Sequence, residues 1–144
     1  MTYRVFTYGT LQIPGVMEAV TGRKFENTMA MLSDYARFSV RGQVFPGVIP
    51  KQGEKVEGRI YFNLNETDLI LLDTFEDYLY ERRPVDVVCN NEIVTAQLYV
   101  VHEKYYSLLS PQPWDINTFT QDHMPNYLAS CRKFHEAYRL FPNN

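Results

Sequence analysis

The stretch "KVEGRIYFNLNETDLILLDTFEDY", Lys55–Tyr78, changes its period in the middle, and that change decides the class of fold. Over Lys55–Leu64, Val56, Gly58, Ile60, Phe62 and Leu64 alternate with Glu57, Arg59, Tyr61 and Asn63. Period two is the signature of a half-buried strand. From Asn65 the spacing lengthens. An Asn at the N-cap, acids in the first turn and leucines at helical spacing predict a helix over Asn65–Tyr78. A strand passing directly into a helix indicates a mixed α and β architecture.

The flanks extend this pattern. "YRVFTYG" (Tyr3–Gly9) predicts a strand entering a turn, and Gly15–Thr21 a short helix stopped by Gly22. Ala30–Pro50 is interrupted by Gly42, Pro46, Gly47 and Pro50, which predicts short bent strands and turns. "RRPVDVVCN" and "EIVTAQLYVVH" read as a hairpin joined at "NNE". From Trp114 the pattern is helical: Tyr127, Leu128, Cys131, Phe134, His135 and Tyr138 recur at three and four residues, with Pro125 in the first turn or at a break just before it. The expected whole is one α+β domain over residues 1–144. It has five or six mostly antiparallel strands curled toward a small β-barrel, flanking helices, and a C-terminal helical extension at 114–141.

Bulk properties exclude several functions. A net charge of −3 leaves no basic footprint for nucleic acid or an anionic membrane. No segment is apolar enough to span a bilayer, and the N-terminus lacks the core of a signal peptide. Two cysteines, Cys89 and Cys131, make neither a disulfide framework nor a metal cage and read as reduced thiols. A cytoplasmic protein is the expectation. His102, His123 and His135 lack metal-ligand spacing, and Cys131 with His135 four residues on reads as core packing rather than a nucleophilic pair.

One residue breaks the helix pattern. At about 100° per residue, Glu76 falls between Leu69 and Leu72, inside the apolar arc, while Glu66, Asp73 and Asp77 gather on the polar side. Burial and the negative end of the helix dipole would both raise the pKa of a carboxyl placed there, as a general base working near neutrality requires. The other reading is that the helix has already ended and Glu76 pairs with Arg82 or Arg83. A second feature is "YGTL", Tyr8–Leu11, directly after the first strand. A glycine there leaves successive N–H groups free to converge on a small anion, although many such sequences are plain turns, and no P-loop follows.

Taken together, "VFTYGTLQ", "VFPGVIP" (Val44–Pro50), "VEGRIY" (Val56–Tyr61) and "LDTFEDYLYERRPVDV" resemble, in order and spacing, the γ-glutamylcyclotransferase-like superfamily. The likeness is strongest to its avirulence-induced-gene-like branch, whose tail "WDINTFTQDHMPNYLASCRKF" (Trp114–Phe134) also resembles. The resemblance implies a small β-barrel with a pocket beside the first strand. It implies cleavage of a γ-glutamyl amide by cyclisation to 5-oxoproline, with no metal or organic cofactor. It assigns the acid/base to Glu76 and substrate binding to Tyr8, Gly9, Thr10, Leu11, Gln12, Ile13 and Tyr80. The implied partner is a small molecule with a free α-amino acid end. A non-catalytic binding module on the same barrel and a different amide-cleaving enzyme stay open as alternatives.

Overall fold

The computed structural model describes residues 1–140; Phe141, at the end of the expected extension, lies outside the described residues. Five strands and four α-helices follow in the order β1 (Tyr3–Thr7), α1 (Pro14–Thr21), β2 (Asn27–Ser39), β3 (Pro46–Leu64), α2 (Glu66–Glu76), β4 (Tyr80–Cys89), β5 (Glu92–Val101), α3 (Ile116–Asp122) and α4 (Met124–Leu140). The architecture is mixed α+β. In the sheet the strands run β1-β3-β2-β4-β5, and β5 returns to β1 at one parallel pair, Val5 with Gln97. Every other pairing is antiparallel.

Ala30–Pro50 departs from the expected short strands. β2 and β3 instead form one long hairpin, 13 and 19 residues. Pro46 and Pro50 are tolerated because β1 pairs with β3 only over Arg59–Leu64, so the proline end of β3 carries β2 on one side alone. The expected bend survives as an irregularity in register. Ser33 faces Lys55 but Tyr35 faces Pro50, with Asp34 at φ 66° and its carboxylate accepting the Gly53 N–H.

The other elements form for local reasons. Asn65 caps α2 through a reciprocal capping box with Asp68, and Gly22 ends α1 in the left-handed region, φ 77°. The β4–β5 turn holds Asn90 and Asn91 at φ 51° and 65°, which asparagine tolerates better than most residues. The C-terminal pattern is divided at His123 into α3, capped by Asp115, and α4, with Pro125 in the first turn of α4.

Two large cores, with a smaller third around Val40, Leu79 and Val101, hold the elements together. Phe6, Leu32, Val48, Val56, Ile60 and Leu98 fill the inside of the curled sheet. The outer face at one end meets α1, α2 and α4 through Val5, Tyr61, Leu64, Leu69, Leu72 and Cys131. Tyr61, expected on the polar face of its strand, is therefore fully buried: the helices turn a solvent face into a second interior. Each fully buried Leu or Ile contributes about 1.5–3 kcal/mol relative to exposure. No helix among the described residues is long and apolar enough to cross a membrane.

Candidate active site

β1 delivers the chain to a tight loop. A short 3-10 turn at Thr10–Gln12 reverses it into α1, through Gln12 N–H to Gly9 O (3.2 Å) and Ile13 N–H to Thr10 O (3.1 Å). The Tyr8 carbonyl accepts from Arg37 Nη1 (2.8 Å) and Gln12 Nε2 (3.0 Å), and the Leu11 carbonyl from the Tyr61 hydroxyl (2.8 Å). All four carbonyls from Tyr8 to Leu11 are thus tied down. Among the described residues the N–H groups of Gly9, Thr10 and Leu11 make no hydrogen bond. Gly9 is required for space: a Cβ would stand 2.7 Å from Pro46 Cδ and 2.9 Å from its Cγ.

This loop lines a cavity of about 200 Å³, and so does Glu76 from the end of α2. Glu76 is the last residue of that helix, because Asp77 takes φ 64° and opens a 3-10 turn at Asp77–Leu79. The helix therefore reaches just far enough to keep Glu76 on its apolar side, above Leu69 and Leu72. The alternative pairing does not form: Arg82 bonds Asp73 (2.8 Å) and Arg83 approaches Glu81 (3.6 Å). Arg82 also reaches Gln97 and so ties α2 to β5.

Glu76 is half-buried and lines the cavity. Burial, with the nearby Asp73 carboxylate second, pushes its pKa from 4.5 to about 8.

The other expected residues divide into two sets. Tyr8, Gly9, Thr10, Leu11 and Tyr80 line the cavity with Glu76; Gln12 and Ile13 do not. Gln12 is instead a brace for the Tyr8 carbonyl, and Ile13 is the residue that opens α1. The Tyr8 hydroxyl is spent inside the fold, donating to Tyr99 O (2.6 Å), and the Tyr80 hydroxyl donates to Pro46 O (2.7 Å). Neither hydroxyl orients Glu76 by a hydrogen bond.

The cavity has walls that the sequence did not single out: Phe45 just before β3 and Pro46 at its start, Phe75, Tyr99 of β5 and Tyr127 of α4. The Tyr99 hydroxyl donates to Asp73 (2.7 Å), and the Tyr127 hydroxyl accepts from Thr10 (3.0 Å). Tyr127 heads the amphipathic stripe of the last helix, which is the one legible hint that this helix reaches the site.

A family model for gamma-glutamyl cyclotransferase, AIG2-like, matches residues 5–116, a span that includes every cavity residue except Tyr127. The chain belongs to this family. AIG2-like protein D of Arabidopsis thaliana is 33% identical over 141 residues, which cover 96% of this chain and 92% of that protein. An Arabidopsis thaliana protein of known solution structure superposes with a TM-score of 0.69 at 25% identity, covering 94% of this chain and 92% of that one. A gamma-glutamyl cyclotransferase structure superposes with a TM-score of 0.60 at 14% identity over 92% and 87% of the two chains, a likeness of fold. The family match stops where α3 begins, whereas the similarity to AIG2-like protein D continues into the C-terminal helices.

Proposed function

We propose that this protein is a γ-glutamylcyclotransferase-type enzyme that converts a γ-glutamyl amide to 5-oxoproline and a free amine. One observation carries the reading. A carboxyl with a raised pKa and a row of unpaired backbone N–H groups share one small, mostly aromatic cavity.

The substrate's α-carboxylate is held by the Gly9–Leu11 N–H groups, as backbone nests hold small anions. That grip folds the chain so that the α-nitrogen meets the γ-carbonyl carbon. Glu76, ionised, takes a proton from the α-ammonium. The freed nitrogen attacks, the new C–N bond closes the lactam, and the amide C–N bond breaks. Two protons leave the attacking nitrogen in all, and Glu76 passes them to the departing nitrogen, which leaves as an ammonium. The reaction balances with no added reactant. A bound α-ammonium also favours the charged form of Glu76, so the base is primed by its own substrate.

The partner is thus a small molecule with a free α-amino acid end, and a cytoplasmic setting suits the two free, buried cysteines. We read the closed sheet as the rigid β-barrel wall of the site and the span 1–140 as one domain. The test is a panel of γ-glutamyl amino acids and γ-glutamyl amines, assayed for 5-oxoproline with the wild type and Glu76→Gln. Product from the wild type alone supports the proposal. Binding without product from either protein would instead indicate a binding module, and release of free glutamate a different amidase.

A further inference from the structure

In the Tyr8–Leu11 loop every carbonyl is bonded, and the N–H groups of Gly9, Thr10 and Leu11 have no partner among the described residues. Such an arrangement needs something to orient the first peptide, because Gly9 by itself allows several rotations. The Tyr8–Gly9 peptide is trans, so its C=O and N–H point in opposite directions. Whatever holds the carbonyl therefore aims the N–H. Arg37 of β2 holds it from outside the cavity, with Nη1 2.8 Å from Tyr8 O and 3.3 Å from Glu57 O.

Arg37 is itself fixed. Its guanidinium lies over the ring of Trp114, 5.7 Å from the centroid, and Trp114 is buried with its indole N–H on Val44 O (2.7 Å). A half-buried cation, stacked on an aromatic ring and directed at two backbone carbonyls, is a costly arrangement for a side chain with no task. We infer that Arg37 is a positioning residue. It holds the Tyr8 carbonyl away from the cavity and thereby turns the Gly9 N–H toward the ligand carboxylate, with Trp114 as its backstop. Gln12, reaching the same carbonyl, is the second brace.

This inference rests on the function proposed above, and its test separates the two. The 15N-labelled full chain is titrated with 5-oxoproline and with L-glutamate while the Gly9 amide is followed by NMR, and the γ-glutamyl panel is assayed in parallel. In the wild type the Gly9 proton moves downfield and saturates. Arg37→Met, which keeps the stem and removes the donors, weakens that binding about tenfold, the loss of roughly one aligned charge-assisted contact. In turnover the same variant raises KM about tenfold with kcat little changed, because a carboxylate grip is common to ground and transition states. Arg37→Lys restores part of the affinity. Gln12→Ala, which removes the second brace without touching the cavity wall, weakens binding in the same direction and stands in if Arg37→Met folds poorly.

Unchanged Gly9 titrations in folded Arg37→Met and Gln12→Ala overturn the inference and leave the proposed function intact. A wild-type Gly9 amide that no ligand moves also overturns it. If 5-oxoproline is still produced in that case, only the inference falls; if it is not, both fall.

Discussion

Asp73 and Glu76 lie one turn apart on α2, yet of the two only Asp73 has an ion-pair partner among the described residues: it takes the Arg82 guanidinium at 2.8 Å and the Tyr99 hydroxyl at 2.7 Å. Glu76, lining the cavity, pairs with no cation among the described residues and has a negative neighbour. The separation puts one carboxyl to structural use and leaves the other free for the proton transfer proposed above.

Activity should therefore follow the ionisation of Glu76. On the acid side, kcat/KM rises with pH through about 8 in the wild type. Asp73→Asn removes the neighbouring negative charge and frees the charge of Arg82, and both changes favour the Glu76 carboxylate. The acid limb of the pH profile moves to lower pH in this variant; an unmoved limb would mean that Asp73 has no electrostatic hold on the site.

Stability should show the same group from the other side. Unfolded, the carboxyl ionises near 4.5; folded, it keeps its proton to about 8. Between these values the unfolded chain binds fewer protons, so Glu76 destabilises the fold progressively as pH rises through that window. The cost at the top of the window is on the order of a few kcal/mol, reduced by solvent screening because Glu76 is only half-buried. Glu76→Gln should match the wild type in thermal unfolding at pH 5 and exceed it in Tm at pH 9.

Gly9→Ala should damage the loop directly. The added methyl meets the Pro46 ring, which cannot swing away as a flexible side chain can. A stability loss of about 1–3 kcal/mol is expected from the overpacking. Catalytic efficiency should fall further than stability explains, since the displaced peptide carries a proposed anion donor. Denaturant unfolding and 5-oxoproline assays on the same sample separate the two effects.

Tyr127 tests whether α4 belongs to the site. Tyr127→Phe removes the acceptor of the Thr10 hydroxyl and costs about 1 kcal/mol. Tyr127→Ala also removes a wall of the cavity and its edge contact with Phe119. It should widen the range of amines accepted in the leaving group while raising KM for small ones. A substrate profile identical to the wild type would place α4 outside the reaction.

Local chemistry in the sequence was enough to determine the elements near the site. Asn65 and the acids after it start α2, Gly22 stops α1, alternation defines the second half of β3, and the wheel sets Glu76 among leucines, because each of these depends on residues a few positions apart. The tertiary structure decided the rest. The long β2–β3 hairpin was hidden because a proline's tolerance depends on whether a neighbouring strand needs its missing N–H, and that neighbour, β1, is distant in sequence. Tyr61 is polar by alternation and buried by the helices packed over it. Arg37, Tyr99 and Tyr127 reach the loop and cavity from three separate elements, so no spacing in the chain could bring them together. A carboxyl's place in a helix is a local property; its enclosure is made by everything that folds around it.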